Sequence, residues 1–490
     1  MNYNPLLMCD FYKVVHSEQY PKNITKIVSY FTPRSKRITS MPEIVMFGLQ
    51  GFIIEYLIDY FNNNFFNCTK EFVYSDYIKK LEYTLGNGVY NPEKVLDLHT
   101  LGYLPIKIKA LPEGTLVPMG VPMFEITNTH PDFAWLVNTL ETLMSCSLWH
   151  TMISATVGNK YRTIVNRYYN ETCKGIPKNR ALGDFSMRGQ TSFESAIKSS
   201  AGFCLSFLNT ATVGAIQYLE KNYFCDSKKD NVAFGLASTE HSVMNSNYAV
   251  DGDEITFIKR LLTEIYPNNS FSMVSDSYDY WNLIENILPQ CKKEILEHNG
   301  VLFIRGDSGD PVDITVKTVE ALYAIFDGYI NKQGYKVLND KIRVIYGDAI
   351  TIERCKLIYE NLKQLGYSAE NCKLGVGSFS MHCIEEGGIL KPFTRDTYGI
   401  AIKATYCEVD GNPIFIYKDP KTDTKKIKKS QKGCCVVYKG GSGAINYKDN
   451  FLYSETNTKE NLLVEVFNNG KLTKKQTLSE VRARLNNLNF

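Results

Sequence analysis

Short apolar runs in the middle of the chain end, one after another, in Asp, Glu or Gly. The run Val301–Ile304 leads into Arg305 and then into a Gly-Asp-Ser-Gly-Asp-Pro turn that contains Asp307 and Asp310. An apolar run of this length is typical of a strand buried on both faces of a parallel sheet. The same form recurs at 181–184, 235–241, 271–276, 342–348 and 373–378. The pattern therefore predicts six strands with polar or Gly residues at their carboxyl ends.

Between the predicted strands, apolar residues recur at helical spacing. Residues 316–326 hold one such series, and residues 352–365 hold another, just before Gly366. This period places apolar side chains on one face of a helix, and Gly is common just past a helix end. Strands that alternate with helices predict an α/β barrel or an open parallel sheet. In either fold the strand carboxyl ends converge on one face, where ligands bind.

The turn after Arg305 has two interpretations. Its Gly residues let backbone N–H groups approach a ligand closely, and the carboxylates of Asp307 and Asp310 suit hydroxyl groups or Mg²⁺. Alternatively, it is an ordinary strand-to-helix turn in which Asp307 or Ser308 caps the next helix. Recurrence of the same form in other strands favours the ligand site, although this one turn leaves both interpretations open.

Both ends of the chain have β character. Strands are predicted at 26–31, 123–126, 399–406 and 413–417, a β-hairpin at 105–118, and helices at 133–148 and 479–488. A chain of 490 residues is longer than one hydrophobic core usually serves. We therefore predict a flanking α+β domain from residues 1–150 and 397–490, and an α/β-barrel catalytic domain from residues 151–396.

The composition, with 44% hydrophobic and 22% charged residues, is that of a soluble globular protein. A formal net charge of +3 gives no general indication of nucleic-acid binding. Thirteen cysteines without a CxxC pair predict reduced thiols and a cytoplasmic protein. The seven histidines include no HExxH motif, so we expect no structural zinc site, and we assign no residue as a resident metal ligand. No apolar stretch approaches the roughly 20 residues of a membrane span, and we expect no signal peptide.

The segment Lys418–Lys432 holds seven lysines and two acids. Such a block is usually a solvated loop, but binding of nucleic acid, or contact of Lys418 alone with an anionic substrate, are alternatives. The run lacks the aromatic residues that stack on bases. Of the Gly-rich stretches, 440–443 predicts a hairpin turn, whereas 375–377 lies at a strand end and is a candidate phosphate-binding loop.

A series of motifs resembles the nicotinamide phosphoribosyltransferase family along nearly the whole chain. The motifs are Asp10-Phe-Tyr12-Lys13-Val-Val-His16, Tyr30-Phe31-Thr-Pro-Arg34, Asp184-Phe185-Ser-Met-Arg188-Gly189, Ser238-Thr-Glu240-His241-Ser242, Val274-Ser-Asp276-Ser-Tyr-Asp279, Ile304-Arg305-Gly-Asp307-Ser-Gly309, Arg343-Val-Ile-Tyr-Gly347-Asp348, Thr394-Arg395-Asp396 and Phe415-Ile-Tyr-Lys418-Asp-Pro420. The resemblance implies a type II phosphoribosyltransferase fold, namely an irregular α/β barrel with a flanking mixed β-rich domain formed by both chain ends. It also implies a homodimer with active sites shared between subunits.

The implied reaction, a step of NAD salvage, joins nicotinamide to 5-phosphoribosyl-1-pyrophosphate (PRPP) and releases nicotinamide mononucleotide and pyrophosphate. Breaking the anomeric C–O bond develops positive charge on the ribose and negative charge on the departing pyrophosphate. Such a site needs Arg, Lys and Mg²⁺ to hold and neutralise the polyanion. The resemblance implies Mg²⁺ bound with the pyrophosphate substrate, and ATP as an optional activator that phosphorylates His241.

The resemblance also implies the residues that bind each part of the substrates. The pyrophosphate is expected to contact Arg188, His241 and Arg305, with Arg34 and Lys418 of the partner subunit. The 5′-phosphate is expected to contact Gly377 and Ser378, with Arg395 and Lys403 of the partner subunit. Asp307 and Asp348 are expected to bind the ribose, and Phe185, with Tyr12 of the partner subunit, the base. Asp276 is expected to orient His241. Asp10, Glu240 and Gly347 complete the predicted substrate site.

Two positions depart from the family pattern. Where the family has Gly-Ser-Gly-Gly-Gly, this chain has Gly375-Val-Gly-Ser-Phe-Ser and a longer following loop, 381–392. Ala211 lies where the family has an Asp that accepts a hydrogen bond from the carboxamide and repels the carboxylate of nicotinate. A hydroxyl of Thr210 or Thr212 is a candidate substitute acceptor. We therefore expect nicotinamide to be preferred, but by a narrower margin.

Three other functions compete with this prediction. A nicotinate phosphoribosyltransferase would share the fold and the donor but use the acid. A different α/β-barrel enzyme of sugar phosphates would not explain the ordered motifs. A non-enzymatic protein that binds nucleic acid through the lysine run is the most distant alternative.

Overall fold

The computed structural model describes residues 3–347, 349–423, 428–441 and 443–486. The predicted site residue Asp348 and part of the Lys418–Lys432 segment lie outside the described residues. In chain order the described strands are β1 (Ile24–Thr32), β2 (Glu43–Val45), β3 (Ile106–Ala110), β4 (Leu116–Pro118), β5 (Phe124–Asn128), β6 (Leu182–Asp184), β7 (Asn209–Thr210), β8 (Ala237–Ser238), β9 (Phe271–Val274), β10 (Leu302–Gly306), β11 (Gly328–Ile330), β12 (Lys336–Leu338), β13 (Ile342–Tyr346), β14 (Cys372–Val376), β15 (Cys383–Glu386), β16 (Ile389–Pro392), β17 (Ala401–Val409), β18 (Asn412–Phe415), β19 (Cys434–Lys439), β20 (Ile445–Phe451), β21 (Val464–Asn468) and β22 (Lys471–Leu472).

The described α-helices are α1 (Phe11–Val14), α2 (His16–Gln19), α3 (Leu49–Phe52), α4 (Lys70–Leu81), α5 (Glu93–Leu101), α6 (Leu136–Thr139), α7 (Glu141–Thr172), α8 (Phe193–Phe203), α9 (Val213–Tyr223), α10 (His241–Asp251), α11 (Ile255–Arg260), α12 (Tyr280–Asn282), α13 (Leu288–Gln290), α14 (Lys292–Glu297), α15 (Pro311–Phe326), α16 (Ile352–Gln364), α17 (Phe379–His382) and α18 (Leu478–Leu485). Turns of π-helix lie at Ile53–Tyr60, Asn62–Phe66, Leu261–Ile265 and Leu283–Ile287, and 3₁₀ turns at Pro5–Leu7, Pro131–Phe133, Lys178–Arg180, Met187–Gly189, Ala369–Asn371 and Tyr453–Thr456. Among the described residues, no helix is both long enough and apolar enough to cross a membrane.

The chain forms two compact units. The flanking unit contains Met1–Thr156, Tyr218–Cys225 and Pro392–Leu488, and the barrel unit contains Val157–Gln217 and Asp226–Lys391. The segment Tyr218–Cys225 lies within the predicted barrel domain in sequence but groups with the flanking unit. The hydroxyl of Tyr223 there donates to the buried carboxylate of Glu113 at 2.6 Å.

Seven parallel strands form the sheet of the barrel unit, in the order β7-β6-β14-β13-β10-β9-β8. Phe234, just before β8, bridges to Asn209 of β7 in a parallel sense, so that the two sheet edges meet. The backbone N–H of Thr210 donates to the Phe234 carbonyl at 3.0 Å. The predicted irregular α/β barrel is confirmed, and β7, with two residues, is the strand that the six-strand prediction missed.

The strand β10 shows why these segments fold as predicted. Its apolar residues are buried, and it pairs in parallel with β9 and β13. The following helix, α15, is capped by Asp310, whose carboxylate accepts the backbone N–H of Asp313 at 2.9 Å. The alternative in which Asp307 or Ser308 caps this helix is therefore wrong.

The flanking unit contains an antiparallel sheet in the order β18-β17-β1-β5-β3-β21-β22. The predicted 105–118 hairpin is wrong, because β3 pairs with β5 and β21 while β4 pairs with β2. Alternation and a turn at Gly114 specify strands but do not specify their partners. The helix predicted at 133–148 is interrupted before α7, which continues to Thr172.

Candidate active site

Four side chains meet at the carboxyl ends of the barrel strands, and we call His241, Asp276, Arg305 and Asp307 the barrel cluster. His241 Nε2 lies 3.8 Å from Asp276 Oδ1. The other Asp276 oxygen accepts the backbone N–H of Asp307 at 3.1 Å, and Arg305 Nε donates to Asp307 Oδ2 at 3.1 Å. The parallel register of β9 and β10 brings these residues, which follow different strands, to one place.

The local geometry fixes the imidazole of His241. The residue begins α10 directly after the end of β8, and its Nδ1 lies 3.0 Å from the hydroxyl of Ser277. With Nδ1 beside Ser277, Nε2 faces the Asp276 carboxylate, and the role of Asp276 in orienting His241 stays a prediction. The side chain of His241 is 48% exposed, so a ligand can reach the ring.

The carboxylate of Asp276 has an oxygen that can accept a further ligand. Its side chain is only 4% exposed, and within the described residues Oδ1 is buried without a hydrogen-bond partner. A buried carboxylate oxygen left in this state costs free energy that a ligand would recover. One atom from each of His241, Asp276 and Asp307 lies within 4.8 Å of the other two. The two carboxylates fit the oxygen preference of Mg²⁺, which the sequence suggested for Asp307 but not for Asp276.

Glycines bring an aromatic ring and the acids close together. A Cβ at Gly375 would overlap the ring of Phe185, whose backbone N–H donates to the Val376 carbonyl at 2.9 Å. A Cβ at Gly347 would overlap the carboxylate of Asp307. Side chains at either position would displace the ring or the acid, so the predicted Phe185 and Asp307 sites depend on these glycines.

The loop around Ala211 is held by a buried acid. Asp184 is fully buried and accepts the Thr210 hydroxyl at 2.9 Å, and its carbonyl accepts the backbone N–H of Ala211 at 2.9 Å. Thr212 is fully buried and accepts the Ser200 hydroxyl at 2.8 Å. Neither threonine hydroxyl is placed as the substitute acceptor considered from the sequence, whereas Ala211 itself is exposed.

The predicted phosphate cradle lies beside a predicted pyrophosphate residue. Arg188 is exposed within the turn Met187–Gly189, and a Cβ at Gly189 would overlap the hydroxyl of Ser378. This contact places Arg188 next to the Gly377–Ser378 segment. Glu240 follows β8 and accepts the hydroxyl of Ser242, at the same strand end as His241.

A second group lies in the flanking unit and includes the predicted site residues Asp10, Tyr12 and Lys403. We call Asp10, Tyr12, Lys13, Glu141 and Lys403 the flanking cluster. Lys13 and Lys403 donate to the two oxygens of Glu141 at 2.6 and 3.0 Å. The hydroxyl of Tyr12 donates to Asp10 at 3.1 Å, and Asp10 also accepts the hydroxyl of Thr142 at 2.7 Å. The first turn of α7 thus holds both the amino-terminal segment and β17.

Glu141 is a member of the flanking cluster that the sequence did not reveal. An acid in the first turn of a helix is a common stabilising feature and gives no functional signal. Its partners lie 128 and 262 positions away along the chain. Burial alone would raise the pKa of the Glu141 carboxyl, but Lys403 and Lys13 outweigh burial and lower the pKa below its ordinary value.

The remaining predicted cations of the flanking unit differ in the hydrogen bonds and ion pairs that their side chains make. Arg34 donates to the carbonyls of Gly399 and Lys428 at 3.1 and 3.3 Å, and burial, followed by the nearby Arg395, lowers its pKa. Arg395 pairs with the adjacent Asp396 at 2.8 Å. Lys418 is exposed, and in the described part of the chain no side-chain contact joins it to these residues.

Sequence comparisons match the whole length of the chain. The nicotinate phosphoribosyltransferase (NAPRTase) family matches residues 181–471, and the nicotinamide phosphoribosyltransferase N-terminal domain matches residues 4–108. A nicotinamide phosphoribosyltransferase of Acinetobacter baylyi is 37% identical over 98% of this chain and 97% of its own length. One from Xanthomonas campestris is 30% identical over 98% and 97%.

Two crystal structures share the fold. Nicotinate-nucleotide pyrophosphorylase from Pyrococcus furiosus gives a TM-score of 0.60 at 14% identity and covers 99% of this chain and 96% of its own. Human nicotinic acid phosphoribosyltransferase gives a TM-score of 0.55 at 15% identity and covers 98% and 93%.

Proposed function

The chain belongs to the nicotinamide phosphoribosyltransferases within the nicotinate phosphoribosyltransferase family, and we propose that its barrel joins nicotinamide to PRPP. The products are nicotinamide mononucleotide and pyrophosphate. The observation that carries this proposal is the barrel cluster, which sets an Arg–Asp pair and a His–Asp pair at one set of strand ends. Paired charges of this kind suit a substrate that carries hydroxyls and phosphates together.

The reaction needs opposite charges at two places. As the anomeric C–O bond breaks, the pyrophosphate oxygen gains negative charge, which Arg188, Arg305 and His241 would stabilise. The ribose carbon gains positive charge, and the nearby carboxylate of Asp307 holds a hydroxyl and offsets that charge. The nitrogen of nicotinamide then forms the new bond to this carbon. Preorganised cations lower the barrier because they need no rearrangement during the reaction.

Mg²⁺ is proposed to enter with the pyrophosphate substrate. Asp276 and Asp307 would hold it, and the buried Asp276 oxygen without a hydrogen bond supports this assignment. When bound, Mg²⁺ supplies charge neutralisation on the phosphate oxygens.

ATP is proposed as an optional activator that transfers its γ-phosphoryl group to an imidazole nitrogen of His241, with release of ADP. The exposure of the ring and the presence of Arg305 near the same acids support this step, because a guanidinium group stabilises the incoming phosphate.

The protein is further proposed to be a homodimer in which the flanking cluster of one subunit completes the barrel cluster of the other. The residues expected from the partner all lie in the flanking unit, namely Tyr12, Arg34, Arg395, Lys403 and Lys418. A cytoplasmic location is proposed because none of the thirteen cysteines forms a disulfide within the described residues.

The test is a direct assay of the purified protein with PRPP, Mg²⁺ and either nicotinamide or nicotinate. We expect nicotinamide mononucleotide as the main product. An Arg305→Ala variant should lose the activity, while Lys317→Ala, on the surface of α15, should retain it. Formation of nicotinate mononucleotide at a higher kcat/KM would replace the proposal with the nicotinate enzyme.

A further inference from the structure

The interior of the barrel carries a second set of cations near the amino-terminal ends of its strands. Parallel register places Phe303 of β10 beside Arg343 of β13, and Ile345 of β13 beside Lys373 of β14. Alternation along each strand then puts Phe303, Arg343 and Lys373 on the same face as Arg305. Lys373 lies four residues before Gly377, or roughly 13 Å along an extended strand. The Lys373 head group contacts Phe303, which lies two residues before Arg305, or roughly 7 Å along an extended strand, so the group is one layer of side chains away from the barrel cluster.

Lys373 has no anionic partner among the residues that the structure describes. Its Nζ lies 4.6 Å from the centre of the Phe303 ring, a cation–π contact with a side chain that is 6% exposed. In the described residues it makes no ion pair or hydrogen bond with a carboxylate. Burial, followed by Arg180 and Arg343, lowers the pKa of Lys373 to about 8. Within the described part of the chain, the charged groups that shift this pKa are the two arginines.

The two arginines are only partly neutralised. Arg343 donates to the carbonyls of Leu338, Asn339 and Ile342 and pairs with the exposed Asp340 at 3.2 Å. Arg180 is exposed, and its guanidinium lies 4.4 Å from the ring of Phe234. The group therefore keeps an excess of two positive charges after the single acid is counted.

We propose that Arg180, Arg343 and Lys373 form a second anion site, which takes a phosphate ion or the phosphate group of a phosphate ester. Cations that repel one another in a half-buried setting destabilise the protein, and a bound dianion reverses that repulsion. Guanidinium and ammonium groups are the donors that phosphate oxygens prefer. The proposal does not depend on the function of the barrel cluster.

The first test measures the reactivity of each lysine. The wild-type protein is treated briefly with acetic anhydride at pH 8, and acetylation is quantified peptide by peptide with increasing orthophosphate or with sodium chloride of equal ionic strength. Orthophosphate should slow acetylation of Lys373 at least tenfold and leave the exposed Lys79 unchanged. Equal responses of Lys373 and Lys79 would overturn the proposal. So would a Lys373 that is not acetylated without phosphate, because the pocket would then be closed to a solute of this size.

A second test counts bound ions by equilibrium dialysis with labelled orthophosphate. Wild type, Lys79→Met and Lys373→Arg should each bind one more phosphate per chain than Lys373→Met, in which an apolar side chain of similar length covers Phe303. Equal binding by Lys373→Met and Lys79→Met contradicts the site. The acetylation assay is then repeated with adenosine monophosphate. If it slows acetylation of Lys373 at a lower concentration than orthophosphate does, the site is assigned to phosphate esters. If the two compounds protect Lys373 equally, the site is assigned to the free ion.

Discussion

The barrel cluster and the flanking cluster differ in how their acidic and basic side chains are paired. In the barrel, Arg305 faces Asp307 and His241 faces Asp276, one acid to each base. In the flanking unit, Lys13 and Lys403 share the single carboxylate of Glu141. The barrel cluster can therefore bind hydroxyls and a metal ion as well as phosphate. In the flanking unit, Lys403 and the predicted cations Arg34 and Arg395 suit an anion.

The largest effect is expected from Asp307→Asn in the barrel. It removes the partner of Arg305 and the proposed ribose contact, so kcat/KM should fall by about 100-fold or more. Asp310→Asn is the matched control, because Asn caps a helix as well as Asp does, and its kcat/KM and stability should stay near wild type. Equal losses in steady-state assays of the two variants would remove Asp307 from the site.

His241→Ala should abolish stimulation by ATP and lower the ATP-independent rate by about tenfold or more, because an imidazole that contacts the departing pyrophosphate in the proposed reaction is lost. The measurement is the initial rate with and without ATP, with His130→Ala in the flanking unit as the control. An ATP effect that survives in His241→Ala would exclude this residue as the phosphoryl acceptor.

Glu141→Gln tests the shared carboxylate of the flanking cluster. Lys403 loses its anchor, so KM for PRPP should rise about tenfold with little change in kcat, and Glu141→Asp should restore most of the loss. A purely structural role would lower stability while leaving KM unchanged.

The same variant has a pH signature. Lys13 is 4% exposed, and loss of its partner should reduce the free energy of unfolding by about 2 kcal/mol at pH 7. The folded-state pKa of Glu141 is lowered, so its stabilisation is present above the ordinary carboxyl pKa and is lost as pH falls through the folded value. The difference in stability between wild type and Glu141→Gln should therefore shrink below about pH 4 in denaturant titrations.

The smallest effect concerns the base. Ala211→Asp should widen the ratio of kcat/KM for nicotinamide over nicotinate by about three- to tenfold, since an added acceptor holds the amide and an added charge repels the acid. The control is Val213→Asp, because Val213 is also exposed. Ala215→Asp is unsuitable as a control because it would disturb buried packing. A ratio that narrows in Ala211→Asp contradicts the selectivity argument.

Sequence patterns predicted the barrel well because the burial of most of its strands can be inferred from the residues of the strand itself. The apolar run of β10 and the acid after it are local features, and so is the helix that follows. Two-residue β7 gave no such signal, and the pairing of β3 depends on β21, far along the chain. Glu141 was missed for the same reason, because its function comes only from lysines that the fold brings to it.

The most direct test of a site completed between subunits mixes two inactive variants. Tyr12→Ala lacks a flanking residue and Arg188→Ala lacks a barrel residue, so each mixed dimer carries one intact site and one doubly altered site. Random exchange at equal concentrations makes about half of the dimers mixed, which predicts recovery of about a quarter of the wild-type activity. If native mass spectrometry shows that subunits have exchanged and no activity returns, the two clusters do not complete one another across the dimer.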